Sequence, residues 1–296
     1  MSDSSASTGY GDRDGFIWLD GEMVPWRSAS FHILTHAMHY GSSVFEGERA
    51  YGGKIFASAK HSERLLNSAR LLDIDIDLSV DEIDRAKQAV LDVNGLKDAY
   101  VRPIAWRGDG EDMGVASIKN PCRLAIATWP WGRYYAAGAT QNSGIRLDIS
   151  EWRRPSPETI PCHAKASGLY MICTLAKHRA QRKGCSDALM FDYRGYVAEA
   201  TGANIFFVKN GEVHTPVPDC FLNGITRQTV LELLKKRNIT VHERHILPTE
   251  LETFEQCWLT GTAAEVEPVG RIGDYRFEVG ELAATMVNDY ARLVRG

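Results

Sequence analysis

The pattern of hydrophobic and polar positions predicts both helices and strands in the first half of the chain. Apolar runs over residues 17–26 meet at Asp20-Gly21, and an Asp-Gly pair between apolar runs favours a hairpin turn. Apolar residues recur at helical spacing over residues 61–72 and 81–93, which predicts two helices. Further strands are expected over residues 44–51, 54–56, 100–105 and 124–128. We therefore predict an α+β first half.

The second half alternates strands and helices more regularly. A helix is predicted over residues 165–182, ending at Gly184, and another from Gly224 through Lys236. A buried strand over residues 256–259 leads into the small residues of 260–264. Other strands are expected over residues 144–148, 188–192, 196–199, 205–208 and 212–214, the last two around Asn210-Gly211.

Between these halves, residues 129–138 (WPWGRYYAAG) fit neither periodicity. Aromatic residues interleaved with small ones in a connecting segment suggest that it lines a ligand site. We predict a flexible tail at 1–14, a small α+β domain at 15–128, an interdomain connection at 129–138 and a larger domain at 139–296.

Composition narrows the class of protein. The 296 residues are 44% hydrophobic and 24% charged, with a net charge of -4, so no basic excess is available for nucleic acid or an anionic membrane. No apolar run approaches the roughly 18 residues of a membrane span, and the polar start does not resemble a secretory signal. Six scattered cysteines indicate reduced thiols in the cytoplasm. The close histidines His32, His36 and His39 lack cysteine or acidic partners, so no metal site is expected.

Four features of the second half point to chemistry. The turns at 223–226 and 260–264 combine glycine with small residues, and a glycine turn at a helix start can hold a phosphate. Lys165 and Glu199 each lie among small or apolar residues. Alone, each of these is more often an ordinary helix start, a surface lysine or a loop carboxylate. Together they supply the amine, the acid and the anion sites that pyridoxal phosphate requires.

Eight segments carry a resemblance to a known family. The chain resembles the fold-type IV pyridoxal-phosphate enzymes (the aminotransferase class IV fold), and most closely the branched-chain amino-acid aminotransferases, from about Phe16 to Val269. The segments are HAMHYGSSVFEGERAY, KHSERLLNSAR, YVRPIAWRGD, WPWGRYY, RRPSPETIPCHAKASGLY, GYVAEATGANIFFVKNG, NGITRQTV and LTGTAAEVEPV. The resemblance implies a two-domain fold with a small α+β N-terminal domain and a larger cofactor-binding C-terminal domain.

The resemblance also implies a cofactor site. In it, Lys165 binds pyridoxal 5'-phosphate covalently and transfers the substrate proton, while Glu199 pairs with the pyridine nitrogen. Tyr170 contacts the ring hydroxyl oxygen. The phosphate ligands implied are Arg64, the N–H groups of Ile225 and Thr226, and Thr262.

The resemblance implies a cytoplasmic aminotransferase that exchanges amino groups between branched-chain L-amino acids and 2-oxoglutarate by a ping-pong route. It is expected to be a homodimer or a higher homo-oligomer. Carboxylates are assigned to Tyr100, Arg102 and the amides near Thr262 and Ala263. Tyr40 is expected to reach in from the partner subunit. The apolar wall is assigned to Phe45, Trp131 and Tyr134, for which core packing is the ordinary alternative.

One position departs from the family pattern and keeps rival functions open. Glu48 stands where the family usually has an apolar residue, next to Arg49. Because neighbouring residues of a strand point to opposite faces, one of the two is expected to face outwards, with Glu48 in solvent or paired with a neighbour. If Glu48 instead faces the pocket, amine donors are favoured. The rivals are a D-amino-acid or (R)-amine transaminase, an aminodeoxychorismate lyase, and a non-catalytic binding protein.

Overall fold

The computed structural model describes residues 9–132, 134–135 and 143–296. The chain divides into two compact units, Met1–Trp131 and Gly132–Gly296. This division falls within the predicted connection at 129–138, of which residues 133 and 136–138 lie outside the described residues. Residues 1–8 of the predicted tail also lie outside them.

The first unit is built on a seven-stranded sheet in the order β2-β1-β7-β6-β4-β5, with β3 paired to β6. Its strands are β1 (Phe16–Leu19), β2 (Glu22–Pro25), β3 (Ser43–Phe45), β4 (Glu48–Tyr51), β5 (Lys54–Ile55), β6 (Ala99–Arg107) and β7 (Cys122–Pro130). Its helices are α1 (His36–Tyr40), α2 (Ser58–Arg70) and α3 (Val80–Val93). All of its strand pairs are antiparallel, so the α+β prediction agrees with what is observed.

The turn predicted from the Asp20-Gly21 pair forms at those two residues. Asp20 and Gly21 adopt φ values of 48° and 101° between β1 and β2, as a tight hairpin requires. The strand predicted over residues 44–51 is interrupted between Phe45 and Glu48. The interruption turns the Glu46 side chain into the protein, where it binds α2.

Residues 9–14, expected to belong to a flexible tail, contact the rest of the first unit. The Trp26 indole N–H donates to the Tyr10 carbonyl at 2.7 Å, and the Tyr10 ring lies edge-on to Trp129. Arg27 pairs with Asp12 and Asp14. A buried indole N–H requires an acceptor, and the tail backbone supplies it here.

The core of the first unit lies between α3 and the sheet. Apolar residues of α3 pack against strand residues whose spacing of two places them on one face. The core residues are Ala50, Ala86, Val90, Leu91, Ala99, Val101 and Ile126. A capping box fixes the start of α3, since Ser79 accepts from the Glu82 N–H and the Glu82 carboxylate accepts from the Ser79 N–H.

A buried acid and a buried lysine pair next to this core. Glu48 and Lys87 are both fully buried, with 2.8 Å between Lys87 Nζ and Glu48 Oε2. Lys87 also pairs with Asp84 at 2.9 Å and donates to the Ser58 carbonyl. Burial raises the pKa of Glu48 to about 8 despite the lysine. Arg49 is buried as well, so the expectation that one of the two neighbours faces outwards is wrong. Both faces of β4 are covered. Of the two alternatives expected for Glu48, solvent exposure or pairing with a neighbour, the structure shows pairing, with Lys87.

The second unit contains a nine-stranded mixed sheet in the order β10-β9-β8-β15-β14-β11-β12-β13, with β16 paired to β15. Its strands are β8 (Ile145–Ile149), β9 (Asp187–Phe191), β10 (Val197–Ala200), β11 (Asn204–Lys209), β12 (Glu212–Thr215), β13 (Val241–Glu243), β14 (Gln256–Gly261), β15 (Glu265–Ile272) and β16 (Tyr275–Arg276). Its helices are α4 (Tyr170–Arg182), α5 (Ile225–Lys236) and α6 (Glu281–Arg295). Among the helices in the described part of the chain, none has the length and apolarity needed to cross a membrane.

Two helix starts in this unit differ in how well the sequence predicted them. Helix α5 begins at Ile225 after Gly224, as predicted. Helix α4 begins at Tyr170 after a short 3-10 turn, and not at Lys165. Ala166 is extended, with φ -91° and ψ 138°, so Lys165 lies ahead of the helix. Its side chain therefore does not project from a helical face.

We expect the buried pair of Glu48 and Lys87 to be strongly coupled. Glu48→Ile should lower the free energy of unfolding by about 3–5 kcal/mol, because the buried Lys87 charge loses its fully buried partner. Lys87→Leu should lower it by about 1–3 kcal/mol, because the Glu48 carboxyl, with a pKa of about 8, is left buried without its hydrogen-bond donor. The double variant should recover most of each loss. Urea unfolding at pH 7 measures all three.

A control comes from an exposed lysine of the same sheet. Lys54→Leu, on β5, should change the free energy of unfolding by less than about 0.5 kcal/mol. A double variant whose loss equals the sum of the single losses would show that the pair is not coupled.

Candidate active site

Lys165 is held beside the first residue of α4. Its Nζ donates to the Tyr170 hydroxyl at 2.7 Å and lies 5.0 Å from the centre of the Tyr170 ring. The flanking residues Ala164 and Ala166 are buried, while Lys165 itself is half-buried. The backbone is thus anchored on both sides of the lysine, and the amine is directed towards the phenol.

Glu199 supplies a buried carboxylate in the same neighbourhood. It lies on β10 and is 8% exposed. Its Oε1 is 3.3 Å from Arg154 Nε, and its Oε2 accepts from Asn204 Nδ2 at 3.1 Å. Burial raises the pKa of Glu199 to about 7, against the opposing effects of Arg154 and Lys165. The acid is therefore poised to gain a further cationic or N–H partner.

Arg154 was not predicted as a site residue. It is buried, and its backbone N–H donates to the Phe191 carbonyl at 2.8 Å. Its Nη1 lies 3.2 Å from Cys173 Sγ. Burial is the largest single effect and opposes its charge, but Glu199 together with Cys173, Tyr170 and Cys220 raises the pKa of Arg154. The segment RRPSP that contains it carried part of the family resemblance, yet spacing alone gave it no role.

The first candidate anion site lies at the start of α5. Gly224 precedes the helix, and its N–H donates to Asn204 Oδ1 at 3.1 Å. Ile225 and Thr226 open the helix, and the first N–H groups of any helix lack intrahelical acceptors. Those groups and the positive end of the helix dipole can bind a phosphate.

The second candidate anion site is the turn between β14 and β15. It consists of Thr262, Ala263 and Ala264, bounded by the paired residues Gly261 and Glu265. Next to it, Thr260 pairs with Asn204 of β11. Because Asn204 also binds the turn at Gly224, the two turns meet at the same end of the sheet.

The residues of the second unit fit pyridoxal phosphate. The amine of Lys165 can react with the aldehyde, and the buried Glu199 can accept a hydrogen bond from the pyridine nitrogen. The two turns offer backbone N–H groups for a dianionic phosphate. These groups have the chemical types that the cofactor requires, and the Lys165 amine is close enough to Glu199 to lower the pKa of its carboxyl in opposition to burial.

In the first unit, four of the predicted substrate residues form one aromatic and cationic group. The Arg102 guanidinium lies 4.8 Å from the Phe45 ring centre and donates to the Tyr100 hydroxyl at 3.3 Å. The Tyr100 and Trp131 ring centres are 4.7 Å apart. A side chain at Gly47 would overlap the Tyr100 hydroxyl, so a larger residue there would displace the Tyr100 ring. We call Phe45, Tyr100, Arg102 and Trp131 the Arg102 cluster.

Arg64, also in the first unit, is fixed by an acid that the sequence analysis did not single out. Its Nε and Nη2 bind the two oxygens of Glu46 at 2.6 and 2.8 Å. His61 Nδ1 also lies 2.6 Å from Glu46. Burial favours the neutral acid, but Arg64 and His61 together hold the pKa of Glu46 well below its usual range. Glu46 thus orients the guanidinium of Arg64.

Tyr40 and Tyr134 have other partners. Tyr40 is exposed, stacks on His36 and donates to the Met113 carbonyl at 3.1 Å. Tyr134 belongs to the second unit, and its hydroxyl accepts from Lys177 Nζ at 2.7 Å. The contacts of Tyr40 do not place it in the Arg102 cluster.

Comparisons with known proteins give matches over most of the chain. A family model described as amino-transferase class IV matches residues 43–272. The chain is 40% identical over 283 residues to a probable branched-chain-amino-acid aminotransferase of Rickettsia felis, covering 94% of this chain and 96% of that protein. It is 38% identical over 276 residues to the branched-chain-amino-acid aminotransferase of Escherichia coli, with coverages of 90% and 87%.

A solved structure is similar over nearly the whole chain. The branched-chain aminotransferase of the thermophilic archaeon Thermoproteus uzoniensis, solved with norvaline, has a TM-score of 0.90 and 31% identity, covering 96% of this chain and 96% of that one. The similarity confirms the expected fold class, fold-type IV with a mixed α/β composition.

The raised pKa of Glu199 predicts how the cofactor-free protein responds to pH. Between the ordinary pKa of 4.5 and the folded value of about 7, the folded state binds the proton more tightly than the unfolded state. Stability therefore falls as pH rises through this window. Glu199→Gln stays neutral, so at pH 8 the variant should be more stable than the wild type, by up to about 3 kcal/mol. At pH 5 the difference should be small.

Urea unfolding of the cofactor-free proteins at pH 5 and pH 8 measures this effect. Glu158→Gln, which alters an exposed acid of the same unit, serves as the control and should give the same difference at both values. If the advantage of Glu199→Gln does not grow with pH, the burial cost assigned to Glu199 is wrong.

Proposed function

The chain belongs to the amino-transferase class IV family, and from that premise we propose that it transfers the amino group between branched-chain L-amino acids and 2-oxoglutarate. It is a pyridoxal-phosphate-dependent aminotransferase. The observation that carries the assignment is the arrangement of Lys165, Tyr170 and Glu199 within one unit. A non-catalytic binding protein would not require a lysine amine directed at a phenol and close to a buried acid.

Each residue of this arrangement has a distinct task. Pyridoxal phosphate, when bound, supplies an aldehyde that reacts with amines and a ring that withdraws electrons from the substrate Cα. The Lys165 amine would accept the proton from the substrate Cα and deliver it to the cofactor carbon C4′, and it would reverse this transfer in the second half of the exchange. Tyr170 keeps that amine in place through its hydroxyl. Glu199 holds a proton at the pyridine nitrogen, and Arg154 supports its negative charge.

We assign the phosphate to the N–H groups of Ile225 and Thr226 and to Thr262. The assignment is supported by the position of both turns at one end of the sheet. Arg64 is proposed as a further phosphate ligand on the family resemblance, and Glu46 would then set its orientation. Because Glu46 binds Arg64 at two points, the guanidinium would have a fixed orientation towards the phosphate.

Two kinds of substrate must be accepted in turn. The Arg102 cluster combines a cation with aromatic faces, which suits both a γ-carboxylate and an apolar side chain. We assign substrate carboxylates to Tyr100, Arg102 and the amides of Thr262 and Ala263. Phe45, Trp131 and Tyr134 are proposed as the apolar wall.

We propose that the enzyme is a homodimer in the cytoplasm. Support for the dimer comes from an exposed apolar stretch whose members are Phe31, Ile33, Leu34, Met38 and Tyr40, since such a surface favours a protein partner. Tyr40 would enter the site of the partner subunit. All six cysteines are free thiols, which is consistent with a reducing compartment.

Glu48 no longer favours the rival amine or D-amino-acid transaminases. Its carboxylate is buried against Lys87 of α3, so it is committed to the core of the first unit. Within residues 9–132, 134–135 and 143–296, no contact favours the aminodeoxychorismate lyase alternative.

A comparison of amino donors tests the substrate assignment. With 2-oxoglutarate as acceptor, we expect L-leucine, L-isoleucine and L-valine to be used at least about a hundredfold better, by kcat/KM, than D-alanine or (R)-1-phenylethylamine. Coupled detection of L-glutamate measures the rates with the L-donors, and keto-product detection measures the others. Efficient use of the (R)-amine with no use of L-leucine would reject the assignment.

Removing the Lys165 amine tests the catalytic assignment. Lys165→Ala should lower turnover at least about a thousandfold, because the proton carrier is lost, while sedimentation still reports a folded dimer. Lys183→Ala, which removes an exposed lysine after α4, should retain turnover. Borohydride reduction of the loaded wild type should attach the label at Lys165, and a label on any other lysine contradicts the proposal.

A further inference from the structure

Asn204 lies between the two ends of the proposed cofactor site. It is the first residue of β11, it is 4% exposed, and it pairs with Thr260 across the sheet. It follows Glu199 by a tight turn, in which the Ala200 N–H donates to the Ala203 carbonyl at 2.8 Å. The turn directs the side chain of Asn204 back towards the strand that carries Glu199.

The amide of Asn204 makes three hydrogen bonds, which use both of its ends. Nδ2 donates to Glu199 Oε2 at 3.1 Å and to the Leu222 carbonyl at 3.0 Å. Oδ1 accepts from the Gly224 N–H at 3.1 Å. One rigid, planar group thus contacts the carboxylate assigned to the pyridine nitrogen and the turn assigned to the phosphate.

Gly224 is shaped to this contact. A Cβ at Gly224 would overlap Asn204 Oδ1, although the backbone at Gly224 has an ordinary φ of -59°. The absence of a side chain at Gly224 therefore lets Asn204 approach closely, and it is not explained by a left-handed backbone conformation. The start of α5, with its N–H groups, is drawn against β11 by this hydrogen bond.

Only an amide satisfies this set of partners. A donor is needed for the Glu199 carboxylate and the Leu222 carbonyl, and an acceptor is needed for the Gly224 N–H. Aspartate keeps the acceptor but brings a second carboxylate against Glu199. Alanine removes the donor and the acceptor together and leaves buried polar groups without partners.

We propose that Asn204 is a positioning residue that fixes the orientation of the Glu199 carboxylate relative to the phosphate-binding turn at Gly224. This inference rests on the proposed function, because it assumes that a pyridine ring and its phosphate occupy these two ends. Asn204 does not touch the reacting atoms. It holds the Glu199 carboxylate at the distance from the turn at Gly224 that brings the carboxylate to the ring nitrogen once the phosphate is bound.

Binding of the cofactor and of one analogue separates this role from a general structural one. Pyridoxal phosphate carries the ring nitrogen, whereas its deaza analogue has carbon at that position and cannot use Glu199. Equilibrium dialysis with the cofactor-free wild type should give at least about tenfold tighter binding of pyridoxal phosphate than of the analogue. Asn204→Ala and Asn204→Asp should reduce that ratio towards one. Asn288→Ala, which alters an exposed asparagine of α6, should leave it unchanged.

The cofactor-free protein gives a second, independent readout. Gly224→Ala should lower the midpoint of thermal unfolding in the wild-type background, because the new methyl group meets Asn204 Oδ1. In the Asn204→Ala background the same change should have little effect, since the obstructing atom is absent. This cycle tests the Asn204–Gly224 contact even when no ligand is present.

The outcomes separate the two proposals. If both ligands weaken equally in Asn204→Ala, so that their ratio stays at the wild-type value, the positioning role is overturned. An additive cycle between Asn204 and Gly224 would overturn the contact on which it depends. If the wild type binds neither pyridoxal phosphate nor the analogue, the proposed function itself fails, whatever the result of the cycle.

Discussion

The burial of the Glu199 carboxylate is the constraint on which the arrangement of the second unit depends. A charged acid withdrawn from water needs compensating partners, and the chain supplies them from separate segments. Arg154 comes from the segment after β8, and Asn204 from the start of β11. Satisfying one side chain therefore fixes β10, β11 and the segment that precedes Lys165. The same contacts give the cofactor site its shape.

The first unit solves a similar problem with different chemistry. Glu46 is buried but stays ionised, because Arg64 and His61 both bind it. Glu48, two residues later, has one strong lysine partner, and burial outweighs that partner's effect on its pKa. The contrast follows from the number and kind of the partners. A bidentate guanidinium and an imidazole compensate for desolvation better than one ammonium that is shared with Asp84.

Local sequence patterns predicted the elements that begin or end at a turn marked by glycine. The Asp20-Gly21 and Asn210-Gly211 hairpins and the start of α5 are observed where glycine placed them. The helix predicted over residues 165–182 ends as expected but starts at Tyr170, because apolar spacing does not reveal that Ala166 is extended. Helix α6 and strand β15 were not predicted, although the buried residues of α6 recur every three or four positions.

The residues of the candidate site likewise fall into those that the sequence indicated and those that it did not. Lys165 and Glu199 could be singled out because a charged residue among small neighbours is unusual, and the resemblance then gave them roles. Arg154, Asn204 and Glu46 could not, since their importance lies in partners that are distant in sequence. The burial of both Glu48 and Arg49 was missed for a related reason. Strand alternation gives the face of a residue but not whether that face is covered.

The pair formed by Glu48 and Lys87 also bears on how this sequence can diverge. Each of these buried polar groups loses its closest partner when the other is replaced by an apolar residue. A lineage that replaces them one at a time must pass through an intermediate with a buried polar group left without that partner, which selection for folding disfavours. The two positions are thus expected to change together among descendants, so that an acid at 48 and a base at 87 are inherited as a unit.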